Sequence, residues 1–438
     1  MPQPKIIVLD DDPTGSQTVH SCLLLMQWDV ETLRLGLQDT VPIVFILTNT
    51  RALTPEEAAA TTREVCQNLK QALQAEQINE FLVVSRSDST LRGHYPIETD
   101  AIAAELGPFD AHFLTPAFFA GGRVTRQSVH YLIIDGMPTP VHATEFARDS
   151  VFGYSTSYLP DYVAEKTAGE IPAEQVERLV LEDLRQGCRD RLLELSGNVC
   201  CAVDGEVQAD FDQFAIDLLA AAAQGKKFLF RSAASLLTSL AQLGPQPVAP
   251  DAMVQYTRNA EPGVVLVGSH VQKTTRQLQV LLQETTVEPL EVAVARLREN
   301  LDQAEVIQAE ILAQVQTAFD RGRTPVIYTS REELQFADIE QRLAFGKAVS
   351  GLLMAIVQGL PESLNFLISK GGITSNDVLS TGLALRSARL LGQILPGCSL
   401  VTTDGEHPQF ANLPVVLFPG NVGDDQGLAT VYRRLAGV

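Results

Sequence analysis

Residues 5–15 read KIIVLDDDPTG. The run from Ile6 to Leu9 is continuously apolar, the pattern of a strand buried on both faces. It empties into three consecutive carboxylates, Asp10, Asp11 and Asp12, and Pro13, Thr14 and Gly15 then turn the backbone. Packing does not call for three acids at a strand end. Like charges so close repel unless cations or hydrogen bonds compensate. The stretch therefore announces a buried strand and asks what the acids hold: a metal, a phosphoryl group or a polyol.

Outward from this strand the pattern repeats. Ile43–Thr48, Phe81–Ser85, His112–Thr115, Val199–Val203 and Lys227–Arg231 read as further short strands. Thr54–Glu76 reads as a helix opening TPEE, with Thr54 as N-cap and Pro55 in the first turn. Residues 173–195 are charged and helical in period. Strands alternating with helices predict an α/β fold whose sheet is mostly parallel and covered on both faces. Residues 244–263, GPQPVAPDAMVQYTRNAEPG, lack periodicity and are rich in Pro and Gly. They divide the chain into a first domain over 1–245 and a second over 262–438, with 246–261 as linker. The alternation then restarts: strands 264–267, 325–329, 365–369 and 414–418, with helices from 274, over 304–321 and 339–358, and after 374.

The length of 438 residues fits two or three domains at roughly 100–200 residues each. A net charge of −20 argues against a nucleic-acid partner, while a local Arg cluster can still bind an anionic substrate. No apolar run is long enough to predict a membrane span, and the start MPQPKIIV lacks leader character. Six scattered cysteines without metal spacing fit a reduced, cytoplasmic setting. No metal ligands are expected, and a homodimer is left open.

Five stretches carry chemistry. In LDDDPTG, the spacing of Asp10, Asp12 and Thr14 fits the opening of a haloacid-dehalogenase-type phosphohydrolase, and GNVGDD (420–425) imitates that class's later acidic motif. The plain alternative is carboxylates capping a turn. SRSDSTLRGHYPIE (85–98) sets Arg86 and Arg92 around Asp88, with Gly93 permitting close backbone approach. Guanidinium forks suit a carboxylate or phosphate, and Asp with Ser/Thr suits hydroxyls, so this mixture matches a small hydroxy acid. Residues 115–149 carry Gly121, Gly122 and Arg123 in a polar run too long for a hairpin, in which His130 and His142 read as core histidines. Finally Gly268–Ser269 and Lys370–Gly371–Gly372–Ile373–Thr374 each join a strand to a helix, and Gly420, Asn421 and Gly423 form a third glycine turn. Such turns aim backbone N–H groups at an anion. No GxxxxGK[ST] loop or protein-kinase motif is present.

Taken in this order the motifs resemble the four-carbon acid sugar kinases. Asp11, Asp12, Thr14 and Gly15 match a DDxTG turn, Arg86 and residues 88–93 a basic residue before DSTLRG, and Pro116–Tyr131 with Thr144–Asp149 a PAF…GGR…HY…TEFARD block. Gly268, Ser269 and Thr275–Leu278 match a GS turn before a T..QL helix, and Gly371, Gly372 and Thr374 a GG.T turn. The resemblance implies two α/β domains with the active site in their cleft, and Mg·ATP-dependent phosphorylation of a terminal hydroxyl of threonate, erythronate or a 3-oxo form. It assigns Asp12 and Asp88 as alternative catalytic carboxylates. Asp11, Thr14, Arg86, Arg92, Gly93 and Arg123 would hold the sugar acid, and Ser269, Lys370–Thr374, Gly420, Asn421 and Gly423 the nucleotide.

Two departures stand out: Phe418–Pro419 replaces an expected Lys–Ser, and His270–Gln272 replaces small residues. They leave open a catalytically impaired, nucleotide-binding regulatory homologue beside the phosphohydrolase reading. Asp10 falls where the family commonly has a small residue, which moves the emphasis to Asp11 and Asp12.

Overall fold

The computed structural model describes residues 3–13, 15–331 and 339–438. The chain divides into two compact units, Met1–Pro245 and Gln246–Val438. In the first, the strands are β1 (Lys5–Asp10), β2 (Leu23–Leu25), β3 (Ile43–Leu47), β4 (Phe81–Arg86), β5 (Ala111–Thr115), β6 (Arg123–Arg126), β7 (Val129–Ile134), β8 (Met137–Pro140), β9 (Glu177–Leu179), β10 (Val199–Val203) and β11 (Phe228–Ser232). Its main sheet runs β2-β3-β1-β4-β11-β5-β10-β9, parallel throughout. Both faces are covered, so β1, β3 and β5 are buried along their whole length. The helix Pro55–Ala75 starts on a capping box in which Thr54 and Glu57 satisfy each other's backbone N–H. Its Val65, Leu69 and Leu73 pack on Ile7, Leu9, Val44 and Val83. From β1 the chain goes to β2 and β3 on one side, then crosses to β4 on the other. That reversal makes the carboxyl end of β1 a topological switch point, where open α/β sheets bind ligands.

In the second unit β12 (Val264–Val267), β13 (Val287–Val292), β14 (Thr324–Thr329), β15 (Leu367–Lys370), β16 (Ser387–Leu395), β17 (Cys398–Thr402) and β18 (Pro414–Phe418) form a sheet in the order β13-β14-β12-β15-β18-β17-β16. The first five strands of that order are parallel, and β17 and β16 add an antiparallel edge. Val265, Val267, Ile368, Val416 and the helix Gly427–Ala436 build its core.

Two local expectations are corrected. Residues 173–195 are not helical throughout: β9 pairs with β10, and the helical parts are a 3₁₀ turn at Ala173–Gln175 and the short α-helices Leu181–Gln186 and Arg189–Glu194. The long polar run after Gly122 folds as an antiparallel meander, β6-β7-β8, because Gln127–Ser128 and Asp135–Gly136 adopt positive φ and turn it twice. The stretch read as the linker is ordered. Pro250–Tyr256 is a 3₁₀ helix whose Met253 is buried in the second unit's core, and the Gln246 side chain hydrogen-bonds Gln393. No helix among the described residues is long and apolar enough to cross a membrane.

Candidate functional site

Parallel strands end on one edge, so the loops after β1, β3, β4 and β5 converge. Register sets Asp10 directly opposite Arg86 on the neighbouring strand. Asp10 is completely buried, and Gly15 folds back so tightly that a Cβ there would lie 2.1 Å from Asp10 Oδ2. Arg86 Nη1 stands 3.4 Å from Asp10 and 3.5 Å from Asp11. Asp10 Oδ2 and Arg86 Nε and Nη1 have no hydrogen-bond partner among the described residues. Burial, opposed by Arg86 and reinforced by Asp11 and Asp12, pushes the Asp10 carboxyl up to about 8. Burial thus favours its neutral form, and the tight turn at Gly15 closes over it, so Asp10 is poorly placed to accept a phosphoryl group.

The other two acids are compensated by Arg51, which sequence reading missed. Its Nη2 and Nε grip Asp11 at 2.5 and 3.1 Å, and its Nη1 donates to Asp12 at 3.1 Å. The Arg51 N–H also donates to the Asp11 carbonyl, and Thr48 N–H to that of Asp10, which stitches the β3 loop to the acidic turn. Burial raises Asp11 against the pull of Arg51. Thr14 lies outside the described residues.

Asp88 accepts from Arg92 Nε at 2.8 Å and from the Thr90 hydroxyl. Burial pushes its carboxyl up, but Arg51 and then Arg92 outweigh that and hold it well below the usual carboxylate range. Arg92 lies over the Phe146 ring and 3.8 Å from Asp149, while burial lowers Arg123 despite the nearby Asp88. The DSTLR loop is pinned through its carbonyls: His130 bonds Ser89 O at 2.8 Å, Tyr154 donates to Thr90 O at 2.7 Å and Tyr162 to Leu91 O at 2.9 Å. His130 is buried, which lowers it to about 4, so it is a neutral scaffold residue. Gly93 is required twice over. Its φ is +120°, and a Cβ would sit 2.5 Å from Arg231 Nη2. Arg231 in turn donates to Glu98 at 2.5 Å and Ser85 at 2.7 Å, and Thr50 donates to Glu98 at 2.5 Å.

The first unit thus brings Asp11, Asp12, Arg86, Asp88, Arg92, Gly93 and Arg123 to one edge, and adds Arg51, Glu98 and Arg231. Two signals could have found these additions. Thr48–Arg51 is a polar turn at a strand end, like the acidic one, and Arg231 is a lone charge inside the apolar run FLFRS, which demands a buried partner.

The second unit repeats the construction. Strands β12, β15 and β18 are neighbours, so their glycine turns meet. A Cβ on Gly268 would lie 2.2 Å from Thr374 Oγ1, and the Thr274 hydroxyl lies within hydrogen-bond distance, 3.1 Å, of both Ser269 Oγ and Gly420 O. Gly371 N–H donates to Phe418 O at 2.8 Å. Gly372, Ile373 and Thr374 begin a helix, whose first N–H groups have no intrahelical acceptor. Gln277 holds the third turn, donating to Val422 O at 3.0 Å and Asp424 O at 2.7 Å.

Lys370 is fully buried, with Nζ 3.9 Å over the Phe418 ring and donating to Pro419 O at 2.7 Å and Gly420 O at 3.3 Å. Burial lowers it to about 7. Lys273 donates to Asn421 O at 3.3 Å. Both lysines therefore brace the Pro419–Asn421 turn from its carbonyl side.

Residues 6–240 match the family described as a sugar-binding N-terminal domain, and residues 264–428 that described as a nucleotide-binding C-terminal domain. A 3-oxo-tetronate kinase from Pectobacterium atrosepticum is 25% identical over 455 aligned residues that span 99% of each chain. A D-threonate kinase from Bordetella bronchiseptica is 28% identical over 188 residues, 40% of this chain and 44% of that one. A solved structure from Salmonella typhimurium LT2 shares the fold at a TM-score of 0.73 and 21% identity, over 99% of this chain and 98% of its own.

Proposed function

The chain belongs to the four-carbon acid sugar kinase family, and from that premise we propose that it transfers the γ-phosphoryl group of ATP to a terminal hydroxyl of a tetronate or 3-oxo-tetronate. The observation that carries this reading is the paired chemistry of the first unit: guanidinium groups of Arg86, Arg92 and Arg51 beside the ionisable acids Asp11, Asp12 and Asp88. A hydroxy acid needs cations for its carboxylate and acceptors for its hydroxyls. Arg86 and Arg92, with Arg123, bind the carboxylate, and Asp11 orients hydroxyls.

Phosphoryl transfer asks the protein mainly for positioning and charge neutralisation, with one carboxylate to take the hydroxyl proton. Asp88, held far below the usual range, is a weak base and serves to orient the hydroxyl. Asp12, partly exposed at the turn, takes the proton. The second unit holds the nucleotide phosphates on the N–H groups of Gly372–Thr374 and Gly420–Gly423, whereas those of Ser269 and Gly371, expected from the sequence to serve there too, are taken by Lys370 O at 3.2 Å and Phe418 O at 2.8 Å. Mg²⁺ neutralises phosphate charge and arrives with the nucleotide. Among the described residues no group of three or more His, Cys, Asp or Glu could hold a metal, and kinase Mg²⁺ relies on one or two carboxylates plus phosphate oxygens.

The test is an ATP-consumption screen over the stereoisomers of four-carbon sugar acids and their 3-oxo forms. One acid phosphorylated at its terminal hydroxyl supports the reading. ATP binding with no phosphorylated acid would replace it with the regulatory one.

A further inference from the structure

Arg331 follows β14, the strand beside β12. Its Nη2 donates to Ser269 O at 2.7 Å and to Thr275 Oγ1 at 2.9 Å, and its Nε to the same hydroxyl at 3.3 Å. The guanidinium therefore grips the Gly268–Ser269 turn and the first turn of the helix Gln272–Leu281. Nη1 is buried without a hydrogen-bond partner among the described residues, and no described carboxylate pairs with the group. His270, which bonds Thr329 Oγ1 at 3.2 Å, is lowered by burial and then by Arg331, so it stands by as a neutral ring.

A buried guanidinium N–H that finds neither acceptor nor counter-ion is costly, and an anion delivered to it recovers that cost. The other cations around these turns are already used: Lys370 and Lys273 donate to the carbonyls of Pro419–Asn421, and Arg276 pairs with Asp425 at 3.0 Å. We propose that Arg331 is the phosphate-binding cation of the nucleotide site, fixing the Ser269 turn with Nη2 and Nε while Nη1 contacts a phosphate oxygen of a nucleoside di- or triphosphate. The proposal rests on the reading that the second unit binds ATP.

Calorimetric binding of ATP, ADP and adenosine to the full chain tests it, with Arg331→Gln and Arg331→Lys beside the wild type. The expected result is ATP and ADP affinity weakened about ten- to a hundredfold in Arg331→Gln, the range of a lost charge-assisted contact, with adenosine affinity unchanged. Arg331→Lys keeps the charge but cannot both hold Ser269 O and reach a phosphate, so it should lose about threefold to tenfold. Undiminished ATP affinity in either variant, or equal loss of ATP and adenosine, overturns the assignment. If Arg331→Gln does not fold, Arg331→Lys alone decides between these outcomes. Failure of the wild type to bind ATP sinks the nucleotide reading itself, a separate result.

Discussion

Replacing Asp10 by asparagine removes a group that folding forces to keep its proton. The ordinary aspartate value is 3.8, and burial takes Asp10 to about 8. Between those values the unfolded chain has released the proton and the folded chain retains it. Folding then takes up a proton, and stability falls as pH rises. Each pH unit of that window is worth about 1.4 kcal/mol, so at pH 7 the wild type forgoes up to about 4 kcal/mol relative to acid pH. The asparagine side chain has the same shape and no proton to lose. With the Arg86 attraction discounted, Asp10→Asn should stabilise the first unit by about 2–4 kcal/mol at pH 7.5 and by little at pH 4.5. Trp28 is the single tryptophan and packs against that unit's core, so urea unfolding followed by its fluorescence isolates the relevant transition. Midpoints measured from pH 4.5 to 8.5 should fall steadily for the wild type and more gently for the variant. Parallel profiles, or a variant weaker at pH 7.5, would refute the claim that Asp10 is buried as a neutral acid.

Arg51→Gln strips Asp11 and Asp12 of their fork and should cost about 3–5 kcal/mol in the same fluorescence assay, with sugar-acid affinity lost and ATP affinity kept. Asp12→Asn should abolish turnover while ATP still binds in calorimetry; equal loss of both would place Asp12 in the wrong unit's chemistry. Gly268→Ala puts a Cβ 2.2 Å from Thr374 Oγ1, so the KM for ATP should rise about tenfold or more, a loss of the order of 1–3 kcal/mol as for overpacking elsewhere, without change in the KM for the sugar acid. Gly93→Ala meets both a forbidden φ and Arg231; the sugar-acid KM should rise while that for ATP holds.

Much of the frame was legible along the chain, because its signals are local. Apolar runs of four to six residues that stop at glycine or charge mark β1, β4, β10, β12 and β18 correctly, since a doubly covered parallel strand needs no partner information to be recognised. The turns that end them were visible for the same reason. The strands that escaped notice are short or at edges, such as Leu23–Leu25 and Glu177–Leu179, or take their character from the partner they pair with, as in the meander and the antiparallel edge of the second unit.

The sequence by itself determined which residue types stand at the strand ends: three acids after β1, the arginines around Asp88, and the glycine turns of the second half. Only the tertiary structure decided how those charges are apportioned. Strand order sets β4 beside β1, so that Arg86 faces Asp10. The β3 loop brings Arg51 to Asp11 and Asp12 across about forty residues of sequence. The pairing of Lys370 with Phe418 turns the lysine inward, and burial makes Asp10 neutral while Asp88 stays charged. Register and desolvation are properties of packed neighbours distant in sequence, and no local pattern of residues carries them.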